Sequence, residues 1–169
     1  MDDSLTQSQR QRQYYADSAT HYDAQHVAES DEHFFALSML VGLIQFCGIK
    51  SVLDVGSGTG RAVKFLKMYC PDIHVVGVEP VAELREIGYA KGICPDTLVD
   101  GDANNLDFHS GAFDLVCAFG VLHHIRQPAS AIAEMLRVAN KAIFISDSNN
   151  FGQGSLISRG IKQLINSVG

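Results

Sequence analysis

VLDVGSGTG, residues 52–60, decides how the chain is read. An apolar run suited to a buried strand contains an aspartate, and glycines then occupy positions 56, 58 and 60 just before the helical pattern of RAVKFLKMYC begins. A turn without Cβ atoms leaves its amides open, and amides at the start of a helix favour the anionic or polar end of a ligand. Strand, glycine loop and helix therefore predict a cradle.

Outward from this stretch the same alternation continues. SVLDV, HVVGVE, a short segment within TLVDGDA, FDLVCAF and KAIFISD read as five strands. Between them, RAVKFLKMYC places apolar residues at 62, 65, 66 and 69, the spacing of one helical face, and VAELREIGYAKG closes on Gly92. PASAIAEMLRVA begins with Pro128, which suits a first helical turn. Upstream, a helix is predicted from Asp31 to Cys47, with Ser30 as its cap, Asp31 and Glu32 at the positive end of its dipole and Gly48 ending it. Its apolar run FFALSMLVGLIQFCGI, interrupted by Ser38 and Gln45, falls short of the ~20 residues of a bilayer span and predicts a buried helix, with no membrane as partner.

Continuous apolar strands separated by amphipathic helices imply an α/β fold: a doubly wound, Rossmann-like, mostly parallel sheet with helices on both faces. Ligands of such sheets sit beyond the carboxyl ends of the strands, where strand order reverses. The 169 residues suffice for one domain, divided here into a polar, Gln-rich, loosely held leader over 1–30 and a core over 31–169. With 13 basic against 19 acidic residues and a net charge of -6, nucleic acid is not the expected partner. The four cysteines stand singly and most are expected to be small core hydrophobes, and the start MDDSLTQSQ lacks the regions of a signal peptide, so a cytoplasmic chain with reduced thiols is predicted. The seven histidines show no metal-ligand spacing; His33, His74 and His109 are isolated and receive no role.

Arg61 stands where a dinucleotide fingerprint would place its last glycine, which disfavours a nicotinamide-dependent oxidoreductase. VLDVGSGTG instead resembles motif I of the class I S-adenosylmethionine-dependent methyltransferases, and the resemblance covers residues 51–147. It implies that Gly56, Ser57, Gly58 and Gly60 hold S-adenosylmethionine, with Asp54 near its ammonium end. It further implies that Glu79, followed by Pro80, takes both ribose hydroxyls, a task that suits a carboxylate. In GDANNLDF, Asp102 would meet the adenine amino group and Ala103 admit the ring, with Asp100 the competing acid. Phe119 and Gly120 would lie beside the cofactor, and His123 and His124 near the mouth.

His123 is the implied base, wherever the acceptor has a proton to lose; the competing reading is that one histidine caps the next helix and the other packs on the sheet. YYADSATHYDAQH resembles the family's N-terminal segment that folds over the site, bringing Tyr14, Tyr15 or Tyr22 to cofactor or acceptor, Tyr22 being assigned to the cofactor. Asp147, Ser148 and Asn149 emerge at the same edge. Two departures stand out. RVANKAIF replaces the usual Lys-Pro-Gly-Gly before the fifth strand, so a tighter turn with Asn140 left-handed is expected. After Asp147, 22 residues provide a loop and one helix from Ser155 but no C-terminal strand pair, so the chain is a shortened form, or a homo-oligomer or second chain completes the sheet. The expected function is methyl transfer to O, N or C of a small-molecule acceptor, the alternative being a non-catalytic S-adenosylmethionine-binding module with a regulatory or partner role.

Overall fold

The computed structural model describes residues 7–19 and 32–147. Tyr22, the Ser30 cap, Ser148, Asn149 and the helix expected from Ser155 lie outside the described residues. In chain order the elements are α1 (Gln7–Ser18), α2 (Glu32–Phe46), β1 (Ser51–Val55), α3 (Arg61–Tyr69), β2 (His74–Val78), α4 (Ala82–Ala90), β3 (Leu98–Val99), β4 (Phe113–Phe119), α5 (Pro128–Val138) and β5 (Ala139–Ser146). A single 3-10 turn, Leu122–His124, follows β4.

The five strands form one parallel sheet in the order β3-β2-β1-β4-β5. The chain moves outward from β1 through β2 to β3, then returns to place β4 on the other side of β1. Strand order reverses between β1 and β4, so the ligand crevice of such a sheet falls beyond the ends of these two strands. This is the predicted doubly wound fold.

The apolar runs in the strands are continuous because both faces of the sheet are covered. Val52, Val75, Leu115 and Cys117 face Leu40 and Ile44 of α2 and Val63 and Leu66 of α3. Leu53, Val55, Val76, Val78, Val116 and Ala118 face Met135 and Val138 of α5, together with Leu106 from the connection after β3. Val52, Leu53 and Val55 are completely buried, each stabilising the fold by about 1.5–3 kcal/mol. β1 is therefore the rigid axis from which the glycine loop departs. The connection after β3 is pinned by Arg137, which donates to the carbonyls of Leu106 and Phe108, while Glu134 accepts from the Leu106 amide.

Several local expectations need correction. α2 is buried on one side only: Ala36, Leu37, Leu40 and Ile44 pack inward, whereas Phe35, Met39, Leu43 and Phe46 are exposed. Its end is as predicted, since Gly48 has φ 60° and the Ile49 amide reaches back to the Ile44 carbonyl. On α3 the buried face is Ala62, Val63 and Leu66, and Tyr69 is turned outward against Phe65. Cys47 and Cys94 are exposed; only Cys70 and Cys117 are core residues. No left-handed Asn140 is present. β5 begins at Ala139, directly after α5, and an irregularity in its pairing with β4 between Phe113 and Leu115 absorbs the extra residue. Lys141, on this edge strand, pairs with Asp114 at 3.2 Å, a charge of the kind that discourages edge-to-edge pairing.

The leader is not loose throughout. Tyr15, Ala16 and Ala19 pack against Val81, Leu84 and Ile87, so α1 is docked on α4.

Gly77, inside β2, has a sharper requirement. A Cβ there would stand 2.4 Å from Ser57 Oγ and 2.8 Å from Val63 Cγ2, so the glycine loop can lie over β2 only because that strand lacks a side chain at this point. Gly77→Ala is expected to lower stability by about 1–3 kcal/mol, as overpacking does. The midpoint of urea unfolding measures this; an unchanged midpoint would contradict the packing described.

Candidate functional site

The loop after β1 is a tight, fully determined turn. The amides of Gly56 and Ser57 donate to the Val78 carbonyl at 2.8 and 3.0 Å, tying the loop to the end of β2. Gly56, Gly58 and Gly60 have φ of 73°, 57° and 82°, a region that side-chain-bearing residues rarely adopt. Gly60 is the residue before α3, and that helix start has no side-chain cap.

Two of these glycines also answer to protein neighbours. A Cβ on Gly56 would meet the Val121 side chain at 2.5 Å, and one on Gly60 the Ile93 side chain at 2.1 Å. The loop's bareness thus has a packing cause as well as the ligand cause inferred from sequence.

Glu79 is 6% exposed and closes the cradle from the neighbouring strand. One carboxylate oxygen accepts the Gly58 amide at 3.0 Å and the other the Val81 amide at 2.9 Å. Arg85 donates to the Glu79 carbonyl and to Asp100 at 2.7 Å, so the acid is held at both ends. Burial pushes the Glu79 carboxyl up, against the pull of the Val81 and Gly58 amides and Arg85. Each of its oxygens still has a lone pair to offer, so the carboxylate can accept from two hydroxyls on the loop side. Pro80 is half-buried between Glu79 and Val81.

Asp54 lies beneath the loop, 2% exposed. It accepts from Ser57 Oγ at 2.6 Å and from the Cys117 thiol at 3.8 Å. Loss of hydration raises its carboxyl to about 6, although Ser57, Cys117 and the Arg61 charge all act the other way. The same desolvation, with Asp54 beside it, pushes the Cys117 thiol well above its usual range. A cationic group arriving in the loop would convert this buried acid into a matched charge.

On the far side of β2, Asp102 accepts the Asn104 amide at 2.9 Å and the Asn104 side chain at 3.2 Å, and pairs with Arg12 of α1 at 2.6 Å. Desolvation raises its carboxyl, but Asn104 and Arg12 together outweigh this and hold it below the ordinary value. Asp100, the competing acid, is drawn to Arg85 with its side chain 73% exposed, which leaves Asp102 as the better placed. Ala103 packs against the core beside it. Asn104 Oδ1 is buried with no hydrogen-bond partner among the described residues. An orphaned acceptor beside an acid fits a ligand edge that donates, such as an exocyclic amino group.

Beyond β4, Phe119 packs against Phe144 on the α2 face. Gly120 has φ 67°, donates to the Ser146 carbonyl at 2.8 Å, and has His33 close against it: a Cβ would stand 2.8 Å from His33 Nε2. His33 Nδ1 is 3.0 Å from Ser146 Oγ. His123 Nδ1 meets Asp147, and His124 Nε2 lies 2.9 Å from the Tyr15 hydroxyl. Tyr14 is exposed and edges Tyr15. Arg12 and Tyr15 therefore tie α1 to Asp102 after β3 and to His124 after β4.

The chain matches the methyltransferase domain family over residues 53–144, more than half its length. The chain belongs to that family of S-adenosylmethionine-dependent methyltransferases. Over 104 residues it is 31% identical to an uncharacterized methyltransferase of Schizosaccharomyces pombe, covering 56% of this chain and 37% of that protein. Over 127 residues it is 30% identical to the phosphatidylethanolamine N-methyltransferase of Cereibacter sphaeroides, covering 70% of this chain and 61% of the relative. The plantazolicin methyltransferase BpumL, solved in complex with SAH, shares the fold with a TM-score of 0.65 at 18% identity, over 82% of this chain and 58% of that one. The chain thus spans about a third to three fifths of the two curated relatives.

Of the residues singled out in the sequence, the structure brings Asp54, Ser57, the three glycines and Glu79 into one crevice. Asp102 and Ala103 follow β3, and Gly120, His123 and His124 follow β4, at the same carboxyl edge of the sheet. Arg12, His33 and Asn104 carry no sequence signal of a role: Arg12 and Asn104 meet Asp102, and His33 meets Ser146 and lies against Gly120. Among the described residues no group of side chains could hold a metal, and no helix is long and apolar enough to cross a membrane.

The buried Asp54 makes stability fall with rising pH. Its folded-state value of about 6 lies above the ordinary 3.8, so the folded chain holds this proton more tightly, and the cost of the buried charge grows between those two values and is complete above pH 6. A displacement of that size corresponds to about 3 kcal/mol. Asp54→Asn is expected to match the parent in melting temperature near pH 4 and to exceed it by roughly 5–10 °C at pH 8. Parallel pH profiles for the two proteins would contradict the assignment.

Proposed function

We propose that this chain is the cofactor-binding part of a methyltransferase acting on a small-molecule acceptor. The observation that carries the reading is the buried Glu79 carboxylate fixed on the Gly58 amide, facing the bare loop that ends β1. In this reading Glu79 accepts the ribose hydroxyls of S-adenosylmethionine, Asp54 balances its ammonium end, and Asp102 with Asn104 accepts from the adenine amino group. Bound there, the cofactor supplies a methyl group activated by positive sulfur.

The chain's own contribution to the chemistry is position and exclusion of water. α1 spans the crevice through Arg12 and Tyr15, and Val121 backs the loop against Gly56. His123, at the rim, takes a proton from an acceptor whose attacking atom carries one. Relatives named for phosphatidylethanolamine and for plantazolicin differ in acceptor, so in this reading specificity lies outside the shared cradle.

Calorimetric titration tests the reading. S-adenosylmethionine and S-adenosylhomocysteine should bind and NAD should not. Glu79→Gln should weaken binding by about 10–150-fold, the loss of one hydrogen bond to a charged group being about 1.5–3 kcal/mol. Equal affinity for NAD, or no effect of Glu79→Gln, would overturn it.

A further inference from the structure

We propose that Asp147 is a positioning residue for His123: its carboxylate sets the imidazole's orientation and tautomer, keeping the proton on Nδ1 and the lone pair on Nε2. The assignment rests on the reading above only in giving His123 the proton-accepting task.

The carboxylate meets three nitrogens at once. One oxygen accepts the Leu122 amide at 2.5 Å and the His123 amide at 3.3 Å, and the other meets His123 Nδ1. An ionised carboxylate can only accept, so a neutral imidazole in this contact must present Nδ1–H. Ring and backbone of the same residue are thereby tied to one anchor, which leaves the side chain little freedom to swing. On the other flank the His124 ring lies against that of His123 at 3.7 Å between centroids, and His124 is itself joined to Tyr15.

The anchor comes from a distant part of the chain, and sheet register delivers it. β4 and β5 pair with Phe119 opposite Ser146, and the Gly120 amide continues the ladder to the Ser146 carbonyl. The next residue of β5's chain, Asp147, then stands against the turn that carries His123. A residue that merely capped the turn would need the two amides and not the ring. The third contact indicates more, because a base that must accept a proton at Nε2 is disabled by the opposite tautomer.

Long-range proton–nitrogen spectra of the imidazoles, recorded on nitrogen-15-labelled protein at a pH of about 8.5 where histidine is neutral, decide the matter. His123→Gln identifies the signal. The expected result is an Nδ1–H tautomer for His123 in the parent and a shift towards Nε2–H in Asp147→Ala and in Asp147→Asn, whose one carbonyl oxygen is claimed by the Leu122 and His123 amides so that its NH2 group donates to Nδ1. An Nε2–H tautomer in the parent overturns the proposal by itself, so a poorly folded alanine variant cannot shelter it. An unchanged tautomer in a folded Asp147→Ala protein overturns it equally. Titration of the same parent sample with S-adenosylhomocysteine reports on the cradle instead. An Nδ1–H tautomer without binding would contradict the cofactor reading and leave this one standing.

Discussion

The contact between the Glu79 carboxylate and the Gly58 amide joins two things that the fold makes separately. β1 delivers a loop stripped of side chains, and β2 delivers an acid at its carboxyl end; only their parallel pairing, with Val55 opposite Val78, puts one beside the other. The same acid starts α4 through the Val81 amide. Moving Glu79 would therefore disturb a helix start and the loop together. Gly77, one turn of the pleat earlier, keeps the space above β2 clear for Ser57.

Energetically the crevice is an unfavourable place for the chain alone. Asp54 and Glu79 are both buried and both acidic, each is pushed towards its neutral form by loss of water, and Asp54 adds to the shift on Glu79. Backbone amides, Ser57 and the nearby arginines offset part of the cost. Local rules of stability are broken here in a manner expected of a binding site, where a ligand with donor hydroxyls and a positive charge would supply the missing partners. The apolar layers on either side of β1 bear the cost, since Val52, Leu53 and Val55 are wholly withdrawn from water.

Much of this was legible because it is periodic or local. Strands buried on both faces gave continuous apolar runs, Gly48 and Gly92 marked helix ends, and the glycine loop announced itself by spacing. What sequence could not show depends on long-range placement. α2 looks wholly apolar, yet the sheet beneath it is wide enough to cover one side, so Phe35, Met39 and Phe46 remain exposed. The sequence predicts a special turn at Asn140, whereas strand pairing takes up the slack through an irregularity. His33 seemed isolated because its partners, Gly120 and Ser146, are far along the chain. Arg12 lay in a polar leader whose docking depends on a few small contacts of α1 with α4. The family resemblance points to the loop and the acids around it; the side chains that brace them are set by contacts far apart in the chain.

A crystal structure of the protein soaked with S-adenosylhomocysteine tests the central claim most directly. The account predicts density for the sugar against the free lone pairs of the Glu79 carboxylate, with the amino-acid tail over Gly56 to Gly60. Density for the nucleoside elsewhere, with the Glu79 side chain facing no ligand hydroxyl, would contradict it.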